Sequence, residues 1–143
     1  MGRIRTLRGR TIVNGDVIRL IVDDGQFTHG YKVLGFQILA VDPTSSTADC
    51  VGTLALSPLG ADRWDLSDNR QIAWAGQTMY GSSSPFPNMA TIDPDHIVVR
   101  DLYVWGLGTT ADPGYQYLVT LEEVNITEDH AVLQLIKEVS QDV

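Results

Sequence analysis

The stretch His96-Ile-Val-Val-Arg-Asp-Leu-Tyr-Val-Trp105 decides the fold. Entered through Asp93-Pro94-Asp95 and closed by Gly106, it is the longest run of β-branched and aromatic residues in the chain. Such residues favour a pleated, half-buried surface. Strict alternation puts Ile97, Val99, Asp101, Tyr103 and Trp105 on one face and Val98, Arg100, Leu102 and Val104 on the other. Each face then carries one charge. A one-residue bulge at Arg100-Asp101 instead turns Ile97 and Val99, then Leu102 and Val104, toward the core. In either register this is a central strand, and a sheet must form around it.

Downstream, Tyr115-Gln-Tyr-Leu-Val-Thr-Leu-Glu-Glu-Val124 alternates, with Tyr117, Val119 and Leu121 to one side and Gln116, Thr120 and Glu122 to the other. The turn Ala111-Asp-Pro-Gly114 leads into it, and the spacing predicts an antiparallel partner for the central strand. Upstream, Gln71-Ile-Ala-Trp-Ala75 and Cys50-Val-Gly-Thr-Leu-Ala-Leu56 read as strands. So does Tyr31-Lys-Val-Leu-Gly-Phe-Gln-Ile-Leu-Ala-Val41, with Leu34, Phe36, Ile38 and Ala40 on one face and Val33, Leu39 and Val41 partly covering the other. A strand apolar on both faces lies inside a sheet or at a subunit contact. Between these runs, 43–49 and 81–88 are loops, and 61–70 is a turn-rich loop around a buried-looking Trp64.

Near the start, Asn14-Gly15 separates two apolar runs, which predicts a two-residue hairpin turn with positive φ. At the other end the period changes. Thr127 caps a stretch opening with Glu128 and Asp129, and Val132, Leu133, Leu135, Ile136 and Val139 recur at helical spacing. The fold class that follows is all-β. We expect an antiparallel β-sandwich or jelly-roll-like barrel of seven or eight strands, with an N-terminal hairpin arm and one C-terminal helix. The predicted organisation is a basic arm over residues 1–10, the β domain over 11–126, and an amphipathic helix over 127–143 packed on the domain or on a neighbour.

Charge supports the idea of an arm. The 143 residues carry a net −8, yet Arg3, Arg5, Arg8 and Arg10 fall within the first ten residues, where no acid occurs. The remainder sets six cations against 18 acids. A basic stretch on an acidic body suits contact with an acidic surface, either a neighbouring copy or, through phosphates alone, a nucleic acid. The same four arginines also suit an edge strand protected against aggregation. The assembly residues predicted on these grounds are Arg3, Arg5, Arg8 and Arg10 with Val132, Leu135, Ile136 and Val139. No apolar run approaches the roughly 20 residues that cross a bilayer. Neither is there a signal-peptide core at the start, so a chain made in the cytoplasm and not exported, with no membrane span, is expected.

Residues capable of chemistry are scattered. Asp93, Asp95 and His96 could offer metal ligands, but Asp-Pro-Asp before a strand is equally a turn that caps its own backbone. Asp62, Asp65 and Asp68 bring carboxylates into one loop, as calcium requires, without the glycine and terminal glutamate of an EF-hand. Asx turns explain them at less cost. Cys50 reads as a small core residue, and His29, His96 and His130 as surface or capping residues. Ser82, Ser83 and Ser84 lack a nucleophile elbow, and Glu122 and Glu123 face opposite sides of a strand. The expectation is therefore no enzyme, no cofactor and no resident metal.

Three stretches together resemble small structural proteins of environmental, largely marine, bacteriophages: 28–38 (THGYKVLGFQI), 64–74 (WDLSDNRQIAW) and 92–103 (IDPDHIVVRDLY). The resemblance spans most of the chain and implies a capsid or capsid-associated β-barrel. It transfers no functional residue. It implies a virion location, with copies of the chain and other virion proteins as partners. The competing expectation is a virion-borne binding module for a glycan or receptor, using Trp64, Trp74 and the 81–88 loop.

Overall fold

A computed structural model describes residues 3–22, 29–42, 49–58, 64–77, 88–110 and 112–125. Within them run eight strands: β1 (Ile4–Thr11), β2 (Val17–Leu20), β3 (His29–Leu39), β4 (Cys50–Ala55), β5 (Gln71–Gln77), β6 (Asn88–Ile92), β7 (Leu102–Gly108) and β8 (Tyr115–Asn125). One sheet has three strands in the order β1-β8-β3, the other five in the order β2-β7-β4-β5-β6. All their pairings are antiparallel. The sheets pack face to face, so the protein is an antiparallel β-sandwich. The helix expected over 127–143, with Val132, Leu135, Ile136 and Val139, lies outside the described residues.

Alternation builds the core. Tyr115, Tyr117, Val119 and Leu121 of β8, with Val33, Phe36 and Ile38 of β3, face Leu54, Ala73, Ala75, Leu102 and Val104 of the other sheet in one buried cluster. Two glycines set how closely the sheets approach. A Cβ on Gly106 would lie 2.5 Å from the Tyr115 ring, and one on Gly52 would meet Ile38 Cδ1. A methyl at either place must push a large side chain out of a close-packed interior.

The central stretch is divided between the sheets. Ile97, Val98 and Val99 are buried, yet the regular strand begins only at Leu102. Val98 exchanges two main-chain bonds with Tyr31 of β3, at 2.9 and 2.8 Å, in the three-stranded sheet. At Arg100 and Asp101 the chain leaves that sheet, and β7 then runs between β2 and β4 in the other. The two charges that suited neither face thus mark a change of sheet, not a bulge within one strand. Asp101 is held there by Arg19 of β2, at 2.5 Å.

The N-terminal hairpin does not form. Thr11 pairs with Tyr115 in one sheet and Val17 with Trp105 in the other, so Asn14 and Gly15 turn a corner between sheets. Gly15 does take a positive φ, 74°, but Asn14 does not. Its side chain is committed elsewhere: Oδ1 accepts the N–H groups of Gly108 and Gly114, both at 2.8 Å. Those glycines bound the segment joining β7 to β8, which also crosses between sheets. That crossing is why β8 pairs with β1 and β3 and not with β7, as the alternation had suggested.

Three further expectations are corrected. Leu34 is half exposed, because the register of β3 against β8 shifts between Val33 and Gly35. The bulge moves the buried positions from Tyr31 and Val33 to Phe36 and Ile38, leaving Leu34 outside the alternation. Trp64 is 40% exposed, its indole N–H donating to Gly52 O at 2.9 Å while the ring lies against Gly76. Finally, residues 4–10 are not an arm standing off the domain. They lie in β1, paired along its length with β8, and Leu7 packs against the core. Deleting residues 1–10 would strip a strand from the sheet.

The corner is testable. Asn14→Ala leaves two main-chain donors unpaired and should cost on the order of 2 kcal/mol. Gly15→Val forces a β-branched residue into positive φ, at about 1–3 kcal/mol. Urea midpoints check both, and unchanged midpoints would show that the corner contributes nothing.

Candidate interaction surface

The spacing of the arginines distributes them over β1. Arg5 and Leu7 share a parity, whereas Arg8 and Arg10 follow the opposite one. Arg5 pairs in register with Leu121 on the core side, and its guanidinium lies over the Tyr31 ring, 5.7 Å from the centroid. Arg8 and Arg10, opposite Leu118 and Gln116, stand exposed on the outer face of the three-stranded sheet. Arg3 precedes the strand, is exposed, and its carbonyl accepts Glu123 N–H at 2.9 Å.

Arg8 and Arg10 border a groove of about 370 Å³ on that face, whose other side chains include Gln37, Leu39, Gln116 and Leu118. None of the described residues that line it is a carboxylate. The Gln116 amide donates to Ala40 O at 3.0 Å, which fixes that end of the groove. None of the described acids pairs with Arg8 or Arg10, whereas Arg19 pairs with Asp101 and Arg70 with Asp68. Ile4 and Leu34 are exposed on the sheet as well. The arginines were found from the sequence, but the four groove residues were not. Leu39 falls on the second, partly apolar face of its strand and Gln116 on the polar face of β8, and only the β3–β8 register brings them together.

The remaining candidates are occupied by structure. His96 is 5% exposed, not a surface residue. Its Nε2 accepts Val33 N–H at 2.9 Å, and its Nδ1 meets the Asp93 carbonyl. This is the neutral ring with the proton on Nδ1, leaving no lone pair for a metal. Asp93 Oδ1 accepts Asp95 N–H at 2.9 Å, the capping turn weighed against a metal site. Asp65 accepts the Ser67 N–H and hydroxyl, at 3.0 and 2.6 Å, and Asp68 binds Arg70 at 2.8 Å, which lowers its pKa. Asp62, His130 and Ser82–Ser84 lie outside the described residues. Among the described residues no three metal-ligating side chains gather.

Cys50 is buried, and desolvation pushes its thiol up to about 12, so it is protonated and unreactive near neutrality. Trp74 is buried, with its N–H on Gln71 Oε1 at 2.8 Å. Among the described residues no helix is long and apolar enough to cross a membrane.

The fold and this surface define a β-sandwich with an arginine-bearing edge. No protein-family model, curated protein or solved structure matches the chain.

Burial lowers the pKa of His96 below its usual value, although Asp93 opposes the shift. Between that lowered value and about 6.5 the unfolded chain binds the extra proton, so stability must fall as pH drops through this window. Above it the contribution is complete. Urea midpoints from about pH 8 to about pH 5 should decline less steeply for His96→Asn than for the unaltered protein. Parallel curves would sink the assignment.

Proposed function

We propose that the protein is a non-enzymatic structural subunit, a capsid or capsid-associated component of a virion, which acts by assembling with copies of itself and with other virion proteins. The observation that carries this reading is the pair Arg8 and Arg10, exposed beside a groove whose described lining holds no acid, on a chain of net charge −8. Such cations favour an acidic partner surface and oppose stacking of like face on like face. Leu39 adds exposed apolar area to the groove itself, and Ile4 and Leu34 are exposed elsewhere on the three-stranded sheet. The resemblance of 28–38, 64–74 and 92–103 to phage structural proteins supplies the virion as the setting.

Glycan recognition has less support. It needs open indole faces, whereas Trp74 is buried and Trp64 lies against Gly76 with its N–H bound. A nucleic-acid role lacks open stacking faces, because Tyr117, the aromatic residue in the described lining of the groove, is buried in the core at 8% exposure.

Light scattering and electron microscopy test the proposal. The unaltered protein should form assemblies, and Arg8→Glu with Arg10→Glu should lower their mass while leaving the melting temperature within a few degrees. A protein that stays monomeric at every concentration and salt refutes it.

A further inference from the structure

We infer that β1 is a docking edge for an extended acidic peptide segment of a partner protein, which adds to the three-stranded sheet as a fourth strand. This rests on reading the outer face as an assembly surface and names what that surface takes.

The main chain provides the first argument. Arg3 O accepts the N–H of Glu123, the residue directly opposite, so this is a hydrogen-bonded pair. Such pairs recur every second residue in an antiparallel ladder. Arg5, Leu7 and Gly9 therefore turn their main-chain groups toward β8, while Thr6, Arg8 and Arg10 turn theirs to the far edge, which no described strand covers. Register runs without a shift from Ile4 to Thr11, with no proline and no bulge. Edges are normally blunted by those devices. The opposite edge is blunted: β3 is bulged at Leu34, with Tyr31 and Val33 bonded by Val98 and His96. On β1 the cations are the protection.

Charge selects the occupant. A strand added to β1 sets its side chains about 4.5–5.5 Å from those opposite, on the same face. Acidic residues at alternate positions would face Arg8 and Arg10, which lie about 6.8 Å apart along the strand. Antiparallel pairing with β1 of a second copy would instead bring two arginine rows together, which is unfavourable. Strand addition supplies affinity from main-chain bonds and specificity from alternate side chains.

The probe is a fluorescein-labelled octapeptide alternating Glu and Val, titrated into the full-length protein and read by anisotropy. Binding should weaken with salt. Arg8→Glu with Arg10→Glu should reduce affinity about two- to thirtyfold, two cross-strand charge pairs' worth. Thr6→Pro leaves every charge in place and breaks no bond to β8, because Thr6 N–H faces outward, yet it blocks the edge. It should also abolish binding, with circular dichroism confirming the fold. If Thr6→Pro binds as well as the unaltered protein, or if a Lys–Val peptide binds equally, the docking edge is refuted. Equal affinity for an oligothymidylate would reduce the surface to a general polyanion contact and refute it too. Peptide binding by a protein that never assembles keeps the edge and removes the assembly reading; assemblies without peptide binding do the reverse.

Discussion

The carboxamide oxygen of Asn14 holds together two crossings of the sandwich that run in opposite directions. One carries the chain from β1 in the three-stranded sheet to β2 in the five-stranded sheet; the other returns it from β7 to β8. The oxygen has two lone pairs, and the N–H groups of Gly108 and Gly114 take both. Gly15 N–H donates to Gly106 O at 2.9 Å, and the Tyr115 hydroxyl reaches Asp16 O at 2.6 Å. These bonds sit at the Thr11–Tyr115 end of the β1–β8 pairing, whose register sets which side of β1 faces outward. The placement of Arg8 and Arg10 descends from that register.

The same device recurs at three other places among the described residues. A strand that stops pairing strands main-chain donors, and buried donors must find an acceptor. His96 Nε2 serves Val33 just before the β3 bulge, and Gln77 Oε1 serves Ala40 just after β3, at 2.9 Å. Gln71 Oε1 takes the Asp65 N–H at 2.9 Å, tying the 64–70 segment to β5. Each is a polar side chain working as a piece of backbone. This explains buried His96, Gln71 and Gln77 without invoking catalysis, and it makes His96 sensitive to acid, since a protonated ring can no longer accept.

The all-β architecture was legible because alternation reports burial directly. Tyr117, Val119 and Leu121 were read onto one face of β8, and all three are buried. Pairing was not legible. Alternation says which face is inward and nothing about which strand lies alongside, so Asn14-Gly15, a good hairpin turn, became a corner. The β3 bulge was hidden because Leu34, Phe36, Ile38 and Ala40 form an unbroken apolar series, and only tertiary register excludes Leu34 from it. β6 was missed for another reason: Asn88-Met-Ala-Thr-Ile92 is too short to establish a period. The surface was half legible, since arginines announce themselves and a groove built across three strands does not.

The arginine spacing was visible from the start, but its meaning needed the sheet. Had all four cations kept one parity, they would have formed a single stripe, either wholly solvated or wholly against the core. The break between Arg5 and Arg8 instead gives Arg5 the Tyr31 ring as an internal partner and leaves Arg8 and Arg10 outside. Two cations about 6.8 Å apart in water repel by about 0.6 kcal/mol before screening. That cost is small enough for the fold to tolerate. It is nevertheless uncompensated within the described molecule, although the chain carries 18 acids. An edge needing only protection would be served as well by lysines dispersed along it, or by one proline. Keeping two neighbouring guanidiniums clear of every described carboxylate, beside a groove whose described lining holds no acid, favours an edge that is protected from itself while remaining open to a partner of opposite charge.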